Sequence, residues 1–189
     1  MLPHLTHIDP MPIVTVKGSH REMGQQIGEA FKEQIRHHLN NAHVLIDASF
    51  NTLELTWNSA QIQAKKYIPF AQECYPHYVD EMLGLAEGAG VPFDDVAVVN
   101  ALEAVTMDAL HLSKCTSMAV NETRTRNGHV IATHNEDWLP EDEPDVYLIH
   151  ATPVEEPPFL AMTYGALLPN IGFNAHRIAK LIDSVYPND

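Results

Sequence analysis

Between Ser19 and Leu39 the apolar residues recur every fourth position: Met23, Ile27, Phe31, Ile35 and Leu39. Side chains four apart stack on one helix face, so this spacing predicts a long helix with a single apolar stripe. Ser19 followed by Glu22 is a capping-box start. Gly24 and Gly28 sit beside the stripe. Glycine weakens a helix, so its use there is the close approach of another element. Residues 12–17 precede the helix as a short strand. A second helical region runs from about Leu53 to Cys74, interrupted near Pro69. Pro76 opens a third, with Tyr78, Met82, Leu85 and Ala86 on one face and Gly88 to Gly90 as its stop. Pro92 suits the first turn of a fourth, where Asp94 and Asp95 favour the helix dipole. Residues 1–114 are therefore mainly helical.

From Cys115 the pattern changes. TSMAVNE and HVIATHNEDW flank TRTRNG, and Asn127-Gly128 is a hairpin signal. DVYLIHATP, PFLAMTYGAL, NIGFNAH and IAKLIDSVYP are further short runs with strand character, and PEDEPD (140–145) is an acidic turn or loop. Residues 115–189 are β-rich. The fold class is α+β, with the helical part first. A chain of 189 residues is a single structural domain by default.

The net charge of -14 narrows the partners. Acids outnumber bases both before and after Cys115, so nucleic acid and anionic membrane surfaces are excluded as partners. The N-terminus lacks a basic start followed by an apolar run, and no apolar stretch approaches the ~20 residues of a membrane span. Cys74 and Cys115 are the only cysteines. They make neither a disulfide framework nor a four-thiolate metal site, and a cytoplasmic protein with free thiols is the expectation. Cys74 is expected in the core. The histidines lack HExxH spacing, so no metal is expected.

Cys115 stands where the helical pattern ends and the strand pattern begins. It is either a buried structural thiol or a nucleophile. A nucleophile needs a base, and one source is its own α-amino group, freed by cleavage at Lys114–Cys115. Such an amine titrates near ~7.7–8.0 and is partly neutral at physiological pH. A carboxylate must orient it. Asn135 and Asp137 alternate onto one face of the strand after the hairpin, and antiparallel pairing returns that end of the strand to Cys115. His134 and Glu136 would face away from Asp137. Trp138 is expected to pack.

GSHREMGQQIGEAF, YVDEMLGLAEGAGVPFDDVAVVNALE, CTSMAV with HNEDW, and IGFNAH follow one another along the chain. With these stretches the chain resembles the cysteine N-terminal-nucleophile hydrolases of peptidase family C45, typified by acyl-coenzyme A:6-aminopenicillanic acid acyltransferase. The resemblance implies a four-layer αββα sandwich. It implies self-cleavage at Lys114–Cys115 into two chains that stay associated. It also implies transfer or hydrolysis of an acyl group held in a small-molecule amide or thioester, with a coenzyme A thioester as one conceivable donor and no bound cofactor. Cys115 matches the nucleophile, Ser117 a hydroxyl that assists processing, Asp137 the carboxylate that orients the new amine, and Asn135 a site-lining position. His134 stands where relatives carry Arg or Gln and, with Asn174, is a weaker candidate for contacting substrate. Lys114 and Arg177 replace glycines of the family pattern. The family continues past residue 189, so the expectation is an incomplete sandwich. The alternative function is an inactive truncated fragment that acts as an interaction module.

Overall fold

The computed structural model describes residues 10–49, 54–106 and 115–183. Strand β1 (Ile13–Gly18) leads into helix α1 (His20–Ala30). The capping box is formed: the Ser19 hydroxyl accepts from the Glu22 amide, and the Glu22 carboxylate accepts from the Ser19 amide at 2.8 Å. The long helix breaks once, at Phe31, and resumes as α2 (Lys32–Ala48). The apolar stripe passes through the break, and all five of its members are buried. Burying each such side chain contributes about 2 kcal/mol. Phe31 stacks on the fully buried Tyr147, ring centroids 3.9 Å apart.

Among the described residues the second helical region is two helices, α3 (Trp57–Ala64) and α4 (Ile68–Cys74), and its expected start at Leu53 lies outside them. The break precedes Pro69, which sits in the first turn of α4, where its missing N–H costs nothing. Helix α4 buries none of its residues, so Cys74 is exposed rather than in the core. Helix α5 (Pro76–Ala89) ends at Gly90, whose φ of 65° is the left-handed cap. Tyr78 departs from the expected core face: it is 44% exposed and its ring lies against His20 and His77. Helices α6 (Phe93–Asn100) and α7 (Leu102–Thr106) follow.

Helices α1 and α5 cross in backbone contact. A Cβ on Gly24 would lie 2.1 Å from the Glu81 carbonyl oxygen, and one on Gly84 would lie 2.1 Å from that of Arg21. Gly28 and Gly88 repeat the arrangement one turn on.

Strands β4 (Val146–Pro153), β5 (Phe159–Tyr164), β6 (Ile171–Asn174) and β7 (Ala179–Lys180) form an antiparallel meander, and β1 pairs parallel with β4. The resulting sheet has the order β1-β4-β5-β6-β7. One apolar cluster joins the two parts of the chain, with Val16, Met23, Ile27 and Leu85 packed with Tyr147, Ile149 and Ala151. Of IAKLIDSVYP, only Ala179–Lys180 is strand among the described residues. The 140–145 segment is a 3-10 helix whose Asp142 and Asp145 are buried. A separate hairpin pairs β2 (Thr116–Val120) with β3 (Ile131–Asn135). The fold is α+β. No helix among the described residues is long and apolar enough to cross a membrane.

Candidate active site

The β2–β3 register runs from Thr116 opposite Asn135 to Val120 opposite Ile131. The predicted pairing therefore forms, and Gly128 takes the left-handed φ of 64° in the connection. That connection is longer than a tight turn: it includes a short 3-10 turn at Glu122–Arg124, and the Thr125 hydroxyl bridges the backbone of His129.

The register decides which residues meet the thiol. Ser117 lies opposite His134, so extending the ladder by one step sets Glu136 opposite Cys115. The side chains follow this order. The Cys115 thiol is 3.7 Å from Glu136 Oε2, and the same carboxylate oxygen lies 2.9 Å from His134 Nε2. His134 Nδ1 is 3.0 Å from the Ser117 hydroxyl. One set of donors satisfies the chain: Ser117 O–H to Nδ1, Nε2–H to Glu136, and the thiol to Glu136. The His134 side chain is 4% exposed and that of Glu136 16%, so this carboxylate is largely shielded from water.

Asn135 and Asp137 share a face, as expected, and it is the outer one. Both are exposed, and the Asn135 amide donates to Asp137 Oδ1 at 2.7 Å. The structure thus brings Cys115 and Ser117 together with His134 and Glu136, and places Asn135 and Asp137 on the opposite side of the hairpin. Lys114 lies outside the described residues. Asn174, the last residue of β6, is not among the residues lining the thiol's cavity, and its side-chain oxygen accepts from the amides of His176 and Ile178, each at 3.1 Å.

Cys115 and Glu136 open into a cavity of about 400 Å³ shared with Asn100, Trp138, Tyr164 and Asn170. The floor is held firmly. The Asn100 amide donates to the Val96 and Ala166 carbonyls and its oxygen accepts from the Leu168 amide. Trp138 packs as expected, and its indole N–H also donates to Asp142 at 2.8 Å. Burial pushes the Tyr164 phenol far up, with the charges of Glu136 and Asp142 adding to it, so it stays a hydroxyl donor at any working pH. The Asn170 side-chain oxygen is buried and has no hydrogen bond among the described residues. Glu136, Tyr164, Asn100 and Asn170 were not singled out from sequence. Glu136 was readable from the hairpin once a register was chosen. The other three reach the cavity through tertiary packing, which leaves no local signal.

No family model matches the chain. The chain is similar to Beta-alanyl-dopamine/carcinine hydrolase of Drosophila melanogaster, with 23% identity over 194 residues. The match covers 93% of this chain and 49% of that protein. The chain spans about half the length of this relative, which is a hydrolase.

Proposed function

We propose that the protein is a thiol-dependent hydrolase of carbon–nitrogen bonds in small acyl amides, with Cys115 as its nucleophile. The observation that carries this reading is the Cys115–Glu136–His134–Ser117 chain at the mouth of a cavity. The similarity to a hydrolase named for amide-type substrates supports the same chemistry.

The steps balance without a cofactor. Glu136 takes the thiol proton and His134 holds that carboxylate in place. The thiolate sulfur bonds to the substrate carbonyl carbon, and the carbon–nitrogen bond breaks as the amine leaves with a proton. Water then hydrolyses the thioester and restores the thiol. An amine in place of water gives acyl transfer, and a thioester donor such as a coenzyme A ester enters at the same first step. Tyr164 is a hydroxyl donor for the carbonyl oxygen, and the unpaired oxygen of Asn170 is an acceptor for the amide N–H.

Self-activation belongs to the proposal. Attack of the thiol on the Lys114 carbonyl, followed by hydrolysis, would free the Cys115 amine as a second base on the same residue. Asp137 lies one residue beyond the position opposite Cys115, on the side of that residue's backbone nitrogen. There it would orient the new amine, with Asn135 holding its carboxylate. Ser117 would assist the cleavage. The two chains would stay associated through the core they share.

The test is intact-mass spectrometry beside carcinine hydrolysis, for wild type and Cys115→Ala. The expected result is two masses summing across Lys114–Cys115 and measurable hydrolysis in the wild type, with one mass and no hydrolysis in the variant. Unchanged hydrolysis in Cys115→Ala would overturn the nucleophile. A single mass in an active wild type would remove self-cleavage and leave Glu136 as the base.

A further inference from the structure

Three segments distant in sequence bring two imidazoles and a carboxylate to one point. His20 opens α1, His77 is the second residue of α5, and Glu156 lies between β4 and β5. His20 Nε2 is 3.5 Å from Glu156 Oε1, and His77 Nε2 is 3.8 Å from the same oxygen. All three atoms lie within 4.8 Å of one another. We propose that His20, His77 and Glu156 bind a divalent transition-metal ion of the zinc type.

The separations suit such an ion. A tetrahedral site with bonds of ~2.0–2.1 Å sets its ligand atoms ~3.3 Å apart. The side chains of His77 and Glu156 are 36% and 41% exposed, so they can close the remaining gap by rotation. Two nitrogens and one carboxylate oxygen match zinc preferences, and calcium or magnesium would demand more oxygens.

A second observation concerns His20 itself. Its Nδ1 lies 2.5 Å from Oε2 of Glu81, whose side chain is 4% exposed. A buried carboxylate there accepts the hydrogen bond from Nδ1–H, which in the neutral ring leaves the lone pair on Nε2, and this is how carboxylates orient metal-ligating histidines. That Nε2 is buried and makes no hydrogen bond among the described residues. A buried acceptor without a partner is costly, and a metal ion would complete it. The Tyr78 ring packs edge-on against His20 at 5.7 Å and tilts on His77 at 4.1 Å, which holds both imidazoles. His20 and Glu156 line a cavity of about 700 Å³ together with Tyr75, Met82 and Phe159, which would leave room for a further ligand on the ion. The ion would clip the starts of α1 and α5 to the β4–β5 connection. The spacing of residues 20, 77 and 156 hides the set from any local motif.

The competing account is a protonated His20 bridging Glu81 and Glu156 with no metal. Cys115, His134 and Glu136 are a second trio with metal-like spacing and must be separated from this one. Titration of purified wild-type protein and Cys115→Ala with Zn²⁺ and Co²⁺ does both. The expected result is one equivalent bound in each, with the same tetrahedral cobalt spectrum, no thiolate charge-transfer band, and a raised melting temperature. His77→Gln and Glu156→Gln change partly exposed side chains. Each should weaken binding at least about tenfold, and Glu81→Gln should do so about 10–100-fold. No binding, binding lost in Cys115→Ala, or binding unchanged in both His77→Gln and Glu156→Gln would overturn the proposal. None of these outcomes depends on hydrolytic activity, so the nucleophile and the metal site stand or fall separately.

Discussion

Ser117 and His134 face each other across the β2–β3 hairpin, the hydroxyl oxygen 3.0 Å from Nδ1. This contact fixes the imidazole so that its other nitrogen meets Glu136, and Glu136 meets the thiol. Glu136→Gln keeps the size of the side chain and removes the base. It should lower kcat about 10²–10⁴-fold with a smaller change in KM. Ser117→Ala should cost less in turnover, because it loosens an orienting contact without removing a reacting group. Steady-state kinetics on an acyl amide would check both. Full activity in Glu136→Gln would assign the proton to another group.

The sequence showed the hairpin but not which face carried the chemistry. Alternation places Asn135 and Asp137 together and His134 and Glu136 together. It does not say which pair turns towards Cys115, because a shift of one residue in register exchanges the faces. The helical part was more legible. The Ser19–Glu22 box and the Met23–Leu39 stripe are local patterns, and both form as read. The break at Phe31 was not visible, since nothing in the four-residue spacing marks it. Cys74 misled because a small apolar residue reads as core, while its exposure on α4, which buries none of its residues, is set by packing. The cavity residues Asn100, Tyr164 and Asn170 come from three elements whose meeting is a property of the whole fold.

Gly24 and Gly84 make the α1–α5 crossing possible, so Gly24→Ala should be destabilising. Two effects oppose. Alanine improves helix propensity by about 1 kcal/mol. Its Cβ, however, would sit 2.1 Å from the Glu81 carbonyl oxygen. Backbone on both sides cannot yield as a side chain would, and overpacking of this kind costs about 3 kcal/mol. The net loss should be about 2 kcal/mol, read as a lower urea midpoint with an unchanged slope. A gain in stability would show that the helices do not meet at these glycines.

Arg177 occupies a position with φ 64°, in the turn between β6 and β7. A side chain in that conformation costs about 1 kcal/mol, which glycine avoids. The turn itself is held by Asn174, whose carbonyl accepts from the Arg177 amide at 3.0 Å and whose side chain accepts from two more amides. Arg177→Gly should therefore raise stability by up to about 1 kcal/mol, and Arg177→Val should lower it, since a β-branched residue fits this region worst. Thermal melts of the pair decide it. An equal effect of both substitutions would mean that the Arg177 side chain, and not its backbone, matters.

His38 predicts how stability depends on pH. Its ring is buried, packs on Gly165, and accepts a hydrogen bond at Nδ1 from the Ala166 amide at 3.1 Å. Around it stand Asp142, 4.0 Å from Nε2, and the neighbouring His37, which is bonded to Asp145. Burial pulls its pKa below the ordinary value of 6.5; the Asp142 carboxylate opposes this and His37 adds to it. A depressed histidine binds fewer protons folded than unfolded. Stability is then greatest above pH 6.5 and falls as the pH drops below it, by up to about 1.4 kcal/mol per pH unit from this residue. His20 titrates with the opposite sign, since the hydrogen bond to Glu81 raises its pKa against the cost of burial. The informative quantity is therefore a difference. His38→Asn places an oxygen where Nδ1 was and cannot take the proton. The stability gap between wild type and this variant should be largest near neutrality and narrow as the pH is lowered from 7.5 towards 5, measured by urea unfolding at each pH. A gap that stays constant over that range would mean that His38 does not remain neutral in the folded protein.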